Sequence, residues 1–393
     1  MKPITKALFL LLLSPVVMVS TLSAQKGILT MHQTAPSTGI GGRHGVQPLD
    51  TLGPVEGGHI YLFEVGPHGP NTAPFSLINC SASGVSGPDS LGNCYVVSDS
   101  SGHFDISGLY YPHCELDTSL VYLYATQGAL SGINNNSLLT AVSLMPVDCV
   151  NLPTVSGIHI GDSTTVAAVF ALAPFANSTA IPTDGFSTKY ASLSALSTAF
   201  AAANALVSGL TGDYVITDSG TQEQMNALAD VIQPCANTTG STGSGSACGT
   251  LFSDATTSYI TPTDLYQALL SMAQSPTNNV SSLFGLISST PLYGPIPSSA
   301  PSSWVLPIPS APTISSLSVS SGAVGDSVTI SGSNLTYGST TPIVVIGGVQ
   351  ATITGTPSST SITVTVPTYA ITGFIGVYPG NYASNVLPFT VTP

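Results

Sequence analysis

Positive charge is scarce in this chain. Five of its 393 residues are Lys or Arg, against 18 Asp or Glu, for a net charge of −13. A nucleic-acid surface needs clustered cations to replace phosphate counterions, and no such cluster exists, so nucleic acid is excluded as a partner. Anionic membrane surfaces are disfavoured for the same reason. The chain has no Cys-x-x-Cys, no Gly-Lys-Ser/Thr phosphate loop and no Gly-x-Gly-x-x-Gly turn, so finger-type zinc sites and the common nucleotide cradles are not predicted. No cofactor is expected. After the N-terminus no apolar run approaches the roughly 20 residues of a membrane span. What is abundant is uncharged polarity from Ser, Thr, Asn and Gly, alongside 43% hydrophobic residues. That balance is the reverse of the low-hydrophobicity, high-charge signature of disorder. The length suits about two or three domains, each able to bury a core.

The first residues read as an export signal. Lys2 and Lys6 make a basic start, Ala7 to Val19 is a short apolar run, and Thr21-Leu-Ser-Ala24 offers small residues for cleavage. Residues 1–24 are therefore predicted to be a signal peptide. No Cys stands at the cleavage point to accept a lipid. Export makes disulfides expected. Six cysteines allow many connectivities. The expected pairs are Cys80–Cys94, Cys114–Cys149 and Cys235–Cys248, because each then falls inside one module.

The most informative stretch is Ser320-Ser-Gly-Ala-Val-Gly-Asp-Ser-Val-Thr-Ile-Ser-Gly-Ser-Asn-Leu335. Val328 and Ile330 alternate with Ser327, Thr329 and Ser331, the period of a half-buried strand. Gly325-Asp326 turns the chain in, and Gly332 with Asn334 turns it out. Downstream, Gly347-Gly348 between two apolar runs signals a two-residue hairpin. Ser361 to Val366, Phe374–Tyr378 and Leu387–Val391 complete about seven strands, the number an immunoglobulin-like sandwich needs. The stretch resembles the signature of the IPT/TIG family of immunoglobulin-like (E-set) domains. The resemblance spans residues 313–393 and implies a binding or spacer module.

Residues 25–160 predict another β-sandwich, entered by an extended lead over 25–56. His59 to Val65 and Ser119 to Thr126 read as strands. Asp99-Ser-Ser-Gly102 is a tight turn joining Tyr95–Ser98 to His103–Ile106. Pro54-Val-Glu-Gly-Gly-His-Ile-Tyr-Leu62 and Ser98-Asp-Ser-Ser-Gly-His-Phe104 resemble the carboxypeptidase regulatory-like, transthyretin-like sandwich family, which is usually non-catalytic. The long loop between Pro67 and Cys94 departs from that pattern.

Residues 161–290 change to helical periodicity. Asp162-Ser-Thr-Thr165 reads as a cap for a helix over Val166–Leu172 that stops at Pro174. An Ala-rich helix is predicted from Tyr190 to Val207. Thr221 with Gln224 reads as a capping box. Thr261-Pro262 opens a helix through Leu265, Leu269 and Met272, and Val280 to Ile287 a last one. The segment between Cys235 and Cys248 reads as a flexible loop. Residues 291–312, rich in Pro and Ser, read as a stiff extended linker that carries Trp304.

Three patterns point towards chemistry. Gly161-Asp-Ser163 looks like the nucleophile block of SGNH esterases, but that reaction needs a His base later in the chain, and the last His is His159. Helix capping is the better reading. Asp218-Ser-Gly220 looks like an aspartic-protease turn, but the mechanism needs two facing carboxylates and there is no second copy. Only a dimer would supply one. His103, Asp105 and His113 lie close in sequence, yet three ligands of fixed geometry are not evident, and a plain hairpin turn explains Asp99 without calcium.

The sequence thus predicts a mainly β, multi-domain, exported bacterial protein. It combines an N-terminal β-sandwich, an α-helical middle region and a C-terminal immunoglobulin-like sandwich. The expected role is non-enzymatic and at the cell surface or outside it, binding a polysaccharide or an envelope or extracellular protein. No catalytic, metal or cofactor-binding residue is assigned. The alternatives are a secreted hydrolase with its site in the helical region and a purely structural envelope component.

Overall fold

In a computed structural model the described residues are 26–29 (backbone only), 54–65, 75–110, 119–130, 135–155, 157–175, 193–308, 311–380 and 382–393. The expected signal peptide at 1–24 lies outside them. The fold is mainly β with a helical layer. Strands β1 (Lys26–Leu29), β2 (Val55–Glu56), β3 (His59–Val65), β4 (Phe75–Ser76), β5 (Val96–Val97), β6 (His103–Asp105), β7 (Leu120–Thr126), β8 (Ala129–Leu130), β9 (Thr140–Asp148) and β10 (Gly157–Ile160) come first. The main N-terminal sheet runs β4-β3-β7-β9 with β5 also on β3, the second runs β10-β1-β6, and β2 pairs with β8.

Two local expectations change. The lead over 25–56 contains β1, which pairs parallel to β10 and antiparallel to β6. Four residues carry too little periodicity to announce a strand. The Asp99 turn forms as read, with Asp99 Oδ1 accepting the Ser101 and His103 amides at 2.8 and 3.0 Å. Its two arms, however, pair into different sheets, β5 with β3 and β6 with β1.

Helices α1 (Asp162–Leu172), α2 (Leu193–Leu206), α3 (Ser219–Ala236), α4 (Ala247–Ala255), α5 (Leu265–Gln274) and α6 (Val280–Phe284) follow. α1, α2 and α5 all pack on β9, and β3 is buried on both faces from Ile60 to Val65. α1 begins at Asp162 with Gly161 as its N-cap, so the four residues read as caps form its first turn instead. α3 is capped by Asp218, whose side chain accepts the Thr221 amide at 2.8 Å. It is not capped by a Thr221–Gln224 box, because Gln224 is engaged elsewhere. α4 was not foreseen. Ser246 caps it, and the Cys235–Cys248 disulfide binds its first turn to α3. Cys80–Cys94 is likewise formed. Cys149 is disulfide-bonded, and its expected partner Cys114 lies outside the described residues.

The Pro-rich segment, expected to be a stiff extended linker, is packed against α3 rather than held clear of its neighbours. It runs antiparallel along α3. Asp230 accepts the Leu292 and Tyr293 amides at 3.0 and 3.2 Å. Asn226 donates to the Pro295 carbonyl at 2.9 Å. Gln224 donates to the Ser303 and Val305 carbonyls at 3.1 and 2.8 Å, and Thr221 to that of Pro307 at 3.1 Å. Trp304 is fully buried, 6.4 Å from the Phe284 ring, and its amide donates to the Pro276 carbonyl at 2.7 Å.

The C-terminal sandwich comprises β11 (Thr313–Leu317), β12 (Ser321–Ala323), β13 (Ser327–Ser333), β14 (Ile343–Ile346), β15 (Val349–Ile353), β16 (Ser361–Thr365), β17 (Gly373–Tyr378) and β18 (Leu387–Thr392), in the order β11-β13-β16-β15-β14-β17-β18-β12. Val328 and Ile330 are buried while Ser327 is exposed, as their alternation predicts. Gly347 and Gly348 take positive φ of 52° and 85° in the β14–β15 turn, where the left-handed region favours glycine. Its own core contains Val328, Ile330, Val344 and Phe389. Val345, Phe374, Tyr378 and Val386 point the other way and belong to the core of the helical layer.

Truncation of Trp304 to Ala is expected to cost about 3–5 kcal/mol, the range for a large buried aromatic. Denaturant unfolding checks it; a loss below about 1 kcal/mol would show that the Pro-rich strap is not part of the core.

Candidate functional site

The catalytic-looking motifs are absorbed by the helical layer. Asp162 is 2% exposed. Its Oδ1 accepts the Ser163 amide at 3.1 Å and its Oδ2 the Gln233 side chain at 2.7 Å, with Tyr293 also hydrogen-bonded to it. Ser163 is 1% exposed, sealed from any substrate. Asp218 caps α3, and its Oδ2 also accepts the Thr221 hydroxyl at 2.8 Å.

Two carboxylates nevertheless converge around Tyr293. Its hydroxyl bonds Asp162 and its amide bonds Asp230, and Asp230 is also 2% exposed. Hydrogen bonds from the Ser163 amide and the Gln233 side chain serve Asp162, and those from the Leu292 and Tyr293 amides serve Asp230. Burial pushes both carboxyl groups up to about 7, the hydrogen bonds only partly opposing it, and for Asp230 the charge of Asp162 adds to the rise. Asp264, which caps α5 and accepts from Gln267 N and the Thr140 hydroxyl, is raised by burial to about 6. These groups hold the strap and the helix ends. Asp162 and Asp230 are 2% exposed and Asp264 9%.

Two aromatic clusters among the described residues reach the surface and bear on binding. On the N-terminal sheet His59 stacks on Tyr95 at 3.8 Å. Gln127 lies 2.7 Å from the His59 ring nitrogen, and Asp89 bonds the Tyr61 hydroxyl. Burial lowers the His59 pKa. The Cys80–Cys94 disulfide fixes the loop that brings Asp89 and Tyr95 there. On the C-terminal sandwich Tyr337, 55% exposed, meets Tyr382 edge-on at 5.7 Å. The β13–β14 and β17–β18 loops that carry them lie at one end, because Ile343 pairs with Tyr378.

Tyr382 also rims a cavity of about 190 Å³. Its walls come from α1, α2, α5, the strap and the loop at 382–386, with Phe170, Leu206, Leu306 and Val386 among them. His103 lies 3.9 Å from Asp99 on the exposed hairpin, Asp105 sits at the end of β6, and His113 lies outside the described residues. Among the described residues no group of three His, Cys, Asp or Glu is placed to hold a metal, and no helix is long and apolar enough to cross a membrane.

Residues 312–387 match the family model of the IPT/TIG domain. The C-terminal sandwich is an IPT/TIG domain. A comparison with curated proteins gives no match. Among solved structures, the chain is similar to a putative phosphatase from Bacteroides thetaiotaomicron VPI-5482, with 24% identity over 21% of this chain and 18% of that one, at a TM-score of 0.19. An auxiliary nutrient binding protein of the same strain gives 21% identity over 21% of each chain and a TM-score of 0.19. A gamma-CGTase from Alkalophilic bacillus clarkii gives 30% identity over 21% of this chain and 12% of that one, also at 0.19. The chain thus spans about a fifth or less of each of these structures, and the likeness carries no function across.

Sequence reasoning missed the strap-holding role of Gln224, Asn226 and Asp230. Their polar spacing on α3 looks like a solvated face, and only the packed Pro-rich segment makes it an interior one.

Because the folded chain keeps protons on Asp162 and Asp230 that the unfolded chain releases near pH 4, these groups contribute most stability below that pH. The contribution is lost as pH rises through about 7. Thermal unfolding is expected at lower temperature at pH 8 than at pH 5. Asp230→Asn keeps an acceptor for the Leu292 and Tyr293 amides and removes one titration, so it should flatten that slope; an unchanged slope would contradict the assignment.

Proposed function

We propose that the protein is an exported, non-catalytic binding protein that holds a polysaccharide on aromatic rings at the free end of its IPT/TIG domain. The observation that carries this reading is the Tyr337–Tyr382 pair, a large aromatic surface left open at a loop end. Tyr rings offer an apolar face with a polar tip, which suits the apolar faces and hydroxyl rims of sugars. The shortage of cations fits an uncharged ligand better than an anionic one. Export is supported by the N-terminal sequence and by the disulfides, which persist in oxidising surroundings. Enclosure of Asp162, Ser163 and Asp230 supports the non-catalytic part, since a substrate has no route to them. The His59–Tyr95 surface is the competing location on the same chain.

The test is saturable retention of the protein on insoluble polysaccharides. Tyr337→Ala is expected to weaken retention at least about ten-fold with little change in stability, as exposed substitutions usually shift it by less than about 0.5 kcal/mol. Retention that survives Tyr337→Ala and is lost in Tyr95→Ala moves the site to the N-terminal sheet. No retention of the folded protein on any polysaccharide rejects the glycan reading. Deleting residues 313–393 is a poor substitute for these variants, because it strips Tyr378 and Val386 from the main core.

A further inference from the structure

The cavity lies at the junction of α1, α2, α5, the strap and the IPT/TIG domain. Several polar groups along its wall are already paired inside the protein. The Ala171 carbonyl accepts the Tyr378 hydroxyl at 2.6 Å and the Ala173 carbonyl the Gln274 amide at 2.8 Å. The Val305 and Pro307 carbonyls are taken by Gln224 and Thr221. Ser384 Oγ accepts from Val377 N at 2.9 Å and donates to the Asn385 carbonyl at 2.6 Å. Asn385 spends both ends of its amide on Ile314, at 2.7 and 3.0 Å.

An ordered water needs two to four polar partners, and an apolar cavity without them stays dry. The volume of about 190 Å³ is slightly above the roughly 150 Å³ at which an apolar cavity takes up benzene. Exposed Thr313 and half-buried Tyr382 stand among its lining residues, so the space reaches the surface. We propose that this cavity is a binding site for a small uncharged molecule built on a single aromatic ring. The ligand contacts helical layer, strap and IPT/TIG domain together, so binding tightens their docking. With these carbonyls and side-chain groups engaged and the rest of the wall largely Ala, Leu, Ile, Val and Pro, selection is by size and lack of charge. This site is separate from the glycan surface and does not depend on it.

The experiment uses the whole protein with benzene and indole as probes and benzoate as a charged control of similar size. Ligand-observed NMR reads binding and thermal unfolding reads linkage, since a ligand of the folded state raises Tm. Benzene and indole are expected to bind saturably and raise Tm, and benzoate to bind at least about ten-fold more weakly. Ala202→Leu and Ala205→Leu, which extend α2 into the space, should each weaken benzene binding at least about ten-fold without lowering Tm. If one variant fails to fold, the other carries the test. Absence of saturable binding by either probe overturns the proposal. Unchanged benzene affinity in a folded filled variant overturns it too, as does benzoate binding as tightly as benzene. Loss of glycan retention in Tyr337→Ala leaves these outcomes unaffected, so the two readings fail separately.

Discussion

A helix buried on nearly every side has to satisfy its end groups from within the protein. That constraint governs α1, where ten of eleven residues are buried. At its start, Thr164 Oγ1 accepts the Gly161 amide at 3.0 Å, and Asp162 anchors Gln233 of α3. At its end, three separate parts of the chain supply donors. Tyr378 of β17 reaches the Ala171 carbonyl, Gln274 of α5 reaches that of Ala173, and the Gly348 amide of the β14–β15 turn reaches that of Pro174 at 3.1 Å. An unmade bond at such a group costs about 1–3 kcal/mol. The IPT/TIG domain is therefore tied to the helical layer by the helix it closes.

The strap follows from the same logic. Its backbone is rich in Pro, which cannot donate, and its carbonyls and remaining amides need partners once they are covered. α3 supplies them with Thr221, Gln224, Asn226 and Asp230. Each such bond contributes only about 1 kcal/mol net. The apolar anchors, Trp304, Tyr293 and Leu306, bury the larger share of surface. The raised acid at Asp230 is the cost of burying a carboxylate there.

Much of this was legible in the sequence. The period-2 alternation around Val328 and Ile330, the Gly347-Gly348 turn and the Asp99 turn rest on local chemistry that does not depend on distant residues. Helix positions through Leu265, Leu269 and Met272 were readable for the same reason. What the sequence hid depends on long-range partners. β1 is four residues long and exists only because β6 and β10 flank it. Gln224 reads as a cap residue until the strap arrives to take its amide. The open aromatic pair joins Tyr337 and Tyr382 from separate loops, and the cavity draws its walls from distant parts of the chain. Neither leaves a local signature.

The central claim is that α1 and the strap lock the IPT/TIG domain and the helical layer into one cooperative unit. Scanning calorimetry of the whole protein tests it most directly, with the calorimetric enthalpy compared with the van't Hoff enthalpy of residues 157–393 unfolding together. The account predicts one transition that carries both regions, shifted down as a whole by Tyr378→Phe, which removes the donor to Ala171. A separate transition for the IPT/TIG domain, unmoved by that substitution, would contradict it.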